Sequence, residues 1–273
     1  MTDRPARAGM TPKTMTVLER RWLGPEMARI VCGGPDIEGL GLPFADQYVK
    51  LLFPGPRSPF GLPVPNDLEG LERHEGPVTR TYTIRPGDQP GQVWLDMFVH
   101  DGGLASRWAA EVEPGDQITF RGPGGAWEPA ASGRMLMVGD EAAWPALAEG
   151  LRRRKPGVTA DIRIEVSSPE GELPLDLVDG DNVVWLHRGE RPSGEMIAEL
   201  AADLTVPEGG YSAVFVHGNA ELVRPWRRRL MGDLGMPNEI LSVSGYWRTG
   251  HNEDKWQATK RDFVAEMDAD LKR

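Results

Sequence analysis

The chain of 273 residues is 40% hydrophobic and 26% charged, which suits two compact folded domains or one large one and excludes a disordered polypeptide. A formal net charge of −10 argues against a general nucleic-acid or membrane-surface binder, and no stretch nears the roughly 18 apolar residues of a membrane span. The single cysteine, Cys32, excludes an internal disulfide and a thiolate metal cluster within one chain. No apolar run follows the basic start, so a cytoplasmic protein is expected.

In chain order, the first half reads as short strands. They are expected at Met27 to Val31, Tyr48 to Phe53, Val78 to Arg85, Gln92 to Val99 and Gln117 to Phe120. Gly and Pro clusters punctuate them, which predicts an antiparallel barrel or sandwich. Residues 54–65 are too rich in Pro and Gly for helix or central strand, and read equally as a plain surface loop or a lid. The rhythm changes after a small-residue stretch at Pro129 to Gly133. Strands at Arg134 to Val138, Ile162 to Val166, Val183 to His187 and Ala213 to Val216 alternate with helices. The helices are expected at Ala142 to Arg154, Glu195 to Leu204 and Ala220 to Met231. Strand then helix, repeated, predicts a parallel sheet with crossovers. In the tail, Trp256, Phe263, Met267 and Leu271 fall on one helical face, with Asn252 as its cap and Lys272 and Arg273 at its far end. The expected organisation is a barrel over 1–132, an α/β domain over 133–245, and a tail with a C-terminal helix over 246–273.

Two motifs carry chemistry. Arg80-Thr81-Tyr82-Thr83 lies on a strand and offers a cation for a pyrophosphate, an aromatic for a flavin ring and a hydroxyl for its polar edge. His100-Asp101-Gly102-Gly103-Leu104-Ala105-Ser106 runs from a strand into a helix, where small residues and a helix N-terminus suit a diphosphate. Each alone matches an ordinary strand or turn; on neighbouring strands of one barrel they favour FAD. The histidines His74, His187, His217 and His251 lack metal-ligand spacing and are expected to be solvent-facing or packed. Arg152-Arg153-Arg154-Lys155 reads as a helix end, and Arg227-Arg228-Arg229 as a solvated face or, alternatively, a contact for a cofactor phosphate.

At this point the chain resembles the siderophore-interacting protein family of FAD-dependent ferric-siderophore reductases. Tyr48-Val49-Lys50-Leu51-Leu52-Phe53-Pro54 is similar to its early strand, Arg80-Thr81-Tyr82-Thr83 to its flavin motif, and His100 with Gly103 to Ser106 to its phosphate loop. Gly122-Pro123-Gly124-Gly125 and Gly139-Asp140-Glu141-Ala142-Ala143-Trp144-Pro145-Ala146 resemble two further segments. Ser244-Gly245-Tyr246-Trp247-Arg248-Thr249-Gly250 is the most specific match. The departures are Leu104 for Pro, Ala142 for a common Thr, Asn219 for Glu, and Gly124 where some members carry Arg.

The resemblance implies an antiparallel FAD-binding β-barrel followed by a nucleotide-binding parallel α/β domain and a C-terminal helix, a mixed β and α/β protein. It implies that Arg80, Tyr82, Thr83, His100, Gly103, Ala105, Ser106, Asp140 and Ala142 bind cofactor, and that Lys50 and Arg248 bind a ferric siderophore. No side chain acts as acid, base or nucleophile, and no metal is held by the protein itself. FAD would pass electrons from NADH or NADPH, or alternatively from a ferredoxin, to siderophore-bound Fe(III). A general flavin or quinone reductase and a non-catalytic siderophore-binding module remain open alternatives.

Overall fold

The computed structural model describes residues 11–72 and 74–271, so the basic start and Lys272 and Arg273 lie outside the described residues. The chain divides into two compact units between Ala126 and Trp127. In the first, the described strands are β1 (Lys13–Gly24), β2 (Met27–Gly33), β3 (Tyr48–Phe53), β4 (Val78–Pro86), β5 (Val93–Phe98) and β6 (Gln117–Gly124). They close into an antiparallel barrel in the order β1-β2-β5-β4-β3-β6. Period-two alternation explains the closure: Val49, Leu51 and Phe53 turn into a core shared with Ile30, Leu95, Met97, Ile118 and Phe120, while Tyr48 and Lys50 turn out. Strand β1 was not expected. Only Met15 and Val17 along it are fully buried, and its charged remainder is held by ladders to β2 and β6.

Helix α1 (Leu104–Glu111) packs on β2 and β5, with Trp108 edge-on to Phe53 at 5.9 Å. Arg20 donates to the Ala110 carbonyl near its C-terminus, where a cation is favourable. The barrel's buried arginines are paired. Arg29 and Arg85 both donate to Asp96, and Arg29 stacks over Trp94 at 3.8 Å. Cys32 is a buried apolar group whose thiol desolvation pushes up to about 12. Segment 54–65 is tied down at both ends. Ser58 Oγ accepts from Gly55 N and donates to the Glu75 carbonyl, while Thr119 Oγ1 donates to the carbonyl of buried Val64 at 2.5 Å.

The second unit holds a parallel sheet of β7 (Arg134–Asp140), β8 (Thr159–Val166), β9 (Asn182–His187), β10 (Ala213–Asn219) and β11 (Leu241–Trp247), in the order β11-β10-β7-β8-β9. Its helices are α2 (Trp144–Arg153), α3 (Glu195–Glu199), α4 (Ala220–Arg227) and α5 (Glu253–Asp270). Pro145 sits in the first turn of α2, where its missing N–H costs nothing. Helix α3 is shorter than expected. Helix α4 contains Pro225 and passes into a π-helical stretch over Arg228–Asp233. Strand β11 was not expected either, because Leu241 and Val243 alternate with serines and end at Gly245; pairing with β10 makes it a strand.

Asn252 Oδ1 accepts from Lys255 N to cap α5, and Trp256, Phe263 and Met267 bury its inner face. The arginine run at 227–229 is not a simple solvated face. Arg227 pairs with Asp268 and Arg224 with Asp270, so part of α4 is a docking strip for α5. Arg154, beyond the end of α2, holds Asp181 at 2.7 Å. His187 pairs with Glu172, and His217 is buried against Phe215 with ring centres 3.8 Å apart. Among the described residues no three of His, Cys, Asp and Glu gather as metal ligands, and no helix is long and apolar enough to cross a membrane.

Candidate functional site

Strand β4 changes partner along its length. It pairs with β3 over Val78 to Thr83, but with β5 only over Ile84 to Pro86. The barrel wall therefore opens between β4 and β5 along residues 78–83. Arg80 and Tyr82 stand opposite Leu51 and Val49, on the face where Tyr82 joins the core beside Trp108 of α1. Thr83 stands opposite Tyr48 on the other face, almost fully buried. The motif thus splits across the strand, and a flat ring laid along the opened edge would reach both Tyr82 and Thr83.

Following β5, the chain turns into α1 through the glycine loop. Gly102 takes a φ of 76°, and Gly103 is the extended residue before the helix. A Cβ on Gly103 would lie 2.7 Å from Ser106 Oγ and 2.9 Å from His100 Cε1, so this turn closes only around glycine. Ser106 Oγ accepts from His100 N at 3.2 Å, and Ala105 and Ser106 are buried. Their side chains are spent on the fold, which leaves the loop's backbone N–H groups as what they present to an anion. A cation and a ring on β4, an opened strand edge, and a glycine turn into a helix N-terminus fit FAD.

In the second unit the carboxyl ends of β7 and β10 flank the point where strand order reverses, the usual nucleotide crevice of such sheets. Asp140 ends β7 fully buried, and desolvation raises its carboxyl above the usual range. Its Oδ1 accepts from Ala142 N and Ala143 N, and its Oδ2 from Asn219 N at 2.7 Å and Trp247 Nε1 at 2.9 Å. A Cβ on Gly218 would lie 2.6 Å from that carboxylate. Asp140 therefore ties the β7–α2 turn, the β10–α4 turn and the tail together. Ala142 contributes its N–H to the same knot.

Asn219 is equally occupied. Its Oδ1 accepts from Glu221 N and caps α4, while its Nδ2 donates to the Ser193 carbonyl and to Thr249 Oγ1 at 3.0 Å. Buried Glu165 accepts from the N–H groups of Gly194 and Ile197 at the start of α3. Glu141, raised to about 7 by desolvation and by neighbouring Asp140, pairs with Arg188 at 2.6 Å. Arg248, expected to recruit substrate, donates to Glu221 Oε1 at 2.9 Å and lies 5.1 Å from the centre of the Phe263 ring. Lys50, by contrast, is exposed on the outer face of β3 between Thr81 and Arg121. Sequence reasoning missed the links from Asn219 and Trp247; the Gly-Asp and Gly-Asn ends of two strands were their only signal.

An antiparallel barrel with one partly unladdered wall, followed by a five-stranded parallel sheet, is the fold of the ferredoxin–NADP+ reductases. The ferredoxin–NADP+ reductase of Plasmodium falciparum superposes with a TM-score of 0.63 over 86% of this chain and 96% of that one, at 12% identity, a likeness of fold alone. Residues 16–127 match the siderophore-interacting FAD-binding domain and residues 132–250 the siderophore-interacting protein model. The chain belongs to the siderophore-interacting protein family. An uncharacterised protein of Mycobacterium tuberculosis is 33% identical over 96% of this chain and 99% of its own length. The Escherichia coli protein named NADPH-dependent ferric-chelate reductase is 30% identical over 86% of this chain and 92% of its own. The crystal structure of the siderophore-interacting protein SipS from Aeromonas hydrophila gives a TM-score of 0.79 at 27% identity, covering 94% of this chain and 99% of that one.

Proposed function

We propose that this protein is a ferric-siderophore reductase that carries electrons from a reduced nicotinamide to chelated Fe(III) and so releases Fe(II). FAD, when bound, supplies the exchange between two-electron donation by a nicotinamide and one-electron acceptance by iron. The chain's residues bind and orient. Arg80 and the backbone of 103–106 hold the diphosphate, and Tyr82 and Thr83 hold the ring from the two sides of β4. His100 closes the turn that leads into that backbone.

The observation that carries this reading is the adjacency of Thr83 and Lys50. Thr83–Tyr48 and Thr81–Lys50 are successive rows on one outer face, so a cation with no ion pair among the described residues stands about 7 Å along the strand from the residue assigned to the ring edge. In an acidic protein such a cation draws an anionic chelate to the place where electrons leave. The second unit is the proposed seat of the nicotinamide, and Arg248 stays a candidate for substrate there. The relatives' names support the class of reaction: one is called a ferric-chelate reductase. Anaerobic reoxidation of the reduced protein by ferric siderophores tests it. Turnover should be faster with ferric chelates than with free flavin or quinone, and the opposite order would overturn the reading.

A further inference from the structure

Three strand ends of the α/β unit are bridged by one ion pair. Asp140 of β7 is level with Glu165 of β8, and Val166 of β8 with His187 of β9. Glu141 and Arg188 are the next residues beyond β7 and β9, and they meet at 2.6 Å across the end of β8 that lies between them. Both side chains are largely buried, and the stretch after β9 is stitched to β8 by Arg188 N donating to the Val166 carbonyl and Gly189 N to that of Ser167. In doubly wound sheets the adenosine ribose of a dinucleotide rests near the end of this second strand. A carboxylate there suits a free 2′-hydroxyl, and an arginine suits a 2′-phosphate.

The other polar groups at this end are matched in the same way. Arg191 pairs with Glu195 and Glu199, His187 with Glu172, and the Ser168 hydroxyl donates to Glu170. Glu165 itself is turned inward, onto the N–H groups of Gly194 and Ile197. Glu170, Glu172 and Glu190 are exposed beyond β8 and β9, so the surface around the pair is acidic. The start of α2 does little to offset that charge. Asp140 Oδ1 takes the N–H groups of Ala142 and Ala143, and Pro145 has none to give.

Resting on the nicotinamide-donor reading above, we propose that Glu141, by holding Arg188 across the end of β8, makes this protein select NADH over NADPH. The guanidinium that a 2′-phosphate would engage is already neutralised within the chain, and the phosphate charge faces Glu141, Glu170 and Glu190 instead. A ribose with a free 2′-hydroxyl brings no such charge, and that hydroxyl finds an acceptor in the Glu141 carboxylate. Selection of this kind rests on what the site repels as much as on what it holds. Glu141 sets which donor binds and takes no part in hydride transfer.

The test is anaerobic reduction of the FAD-loaded, full-length protein by NADH and by NADPH, followed by stopped flow over a range of donor concentrations. The wild type should bind NADH more tightly and reach the same limiting rate with either donor. Equilibrium dialysis of NAD+ and NADP+ should give the same order of affinity. Glu141→Gln frees the Arg188 charge and should tighten NADPH on the order of tenfold while leaving NADH within about twofold. Adding Arg188→Met should abolish that gain. Glu170→Lys, at an exposed position where folding is not at risk, should shift the ratio the same way by less. Equal or tighter binding of NADPH by the wild type would overturn the selection. So would an unchanged donor ratio in both Glu141→Gln and Glu170→Lys, or an equal loss for both donors in Glu141→Gln, which would make the pair structural. Reduction of the flavin by dithionite but by neither nicotinamide would overturn the donor reading together with this inference.

Discussion

In the barrel, exposed Lys50 stands opposite half-buried Arg121, with no carboxylate among the described residues paired to either, and β4 leaves part of one edge unladdered beside Tyr82 and Thr83. In the α/β unit, the carboxyl ends of the strands are bonded to themselves. Asp140 holds Asn219 and Trp247, Glu165 holds the start of α3, Glu141 holds Arg188 and Glu221 holds Arg248. A satisfied buried group contributes to stability, and removing its partner leaves a desolvation cost. A group left unsatisfied on a surface contributes little to folding and is available to a ligand. Substitutions in the α/β unit should therefore register first in stability, and those in the barrel first in binding.

The largest expected effect is Asp140→Ala. It strands the Asn219 N–H and the Trp247 indole, and should lower unfolding free energy by roughly 3–5 kcal/mol. Urea denaturation measures it, and a midpoint near wild type would break the contrast between the units. Next comes Arg80→Ala in the barrel, expected to weaken FAD by roughly ten- to hundredfold, with a smaller loss of stability. A fluorescence titration that finds wild-type affinity for FAD would remove Arg80 from the diphosphate.

His217 sharpens the comparison through pH. Burial, and then the nearby Lys260 charge, push its imidazole down to about 3 from an ordinary 6.5. The unfolded chain takes up this proton first, so the histidine's contribution to stability is present above about 6.5 and is lost as pH falls toward 3. Between pH 7 and 5 the loss should be about 2 kcal/mol, and His217→Phe should remove that part of the slope. Parallel denaturation curves for the two proteins at both pH values would contradict it.

The smallest effect is expected for Arg248→Ala. An exposed pair with Glu221 is worth less than about 1 kcal/mol to stability, and the side chain must leave that pair to meet a ligand. Reoxidation by ferric siderophore at low chelate concentration should slow by less than about fivefold, and by less still at high salt. Reduction of the flavin by nicotinamide should not change. Stopped-flow measurement of both half-reactions separates the cases, and a larger loss than from Lys50→Gln would reverse the ranking of the two cations.

Much of the fold was legible because its elements announce themselves locally. The alternation in Tyr48 to Phe53, Pro145 at the head of a helix, and the Trp256, Phe263, Met267 stripe each state a period or an end. Strands β1 and β11 were not legible, because their pattern is weak and the ladders to β2 and β6, or to β10, hold them. The strand at 80–83 and the glycine turn into α1 were readable for a similar reason: each is a short segment whose pattern lies within a few residues.

What the sequence determined by itself is the barrel-then-sheet order, the acidic balance, and the residue types at 80–83 and 100–106. Only the tertiary structure decided which charges are free. A bulge sets Arg121 opposite Lys50, and the fold brings Glu221 within 2.9 Å of Arg248. Asp140 is also an internal tie, because residues far along the chain, Asn219 and Trp247, meet its carboxylate. Pairing depends on distance in space, which strand register and crossover set, and no local pattern of residues encodes it.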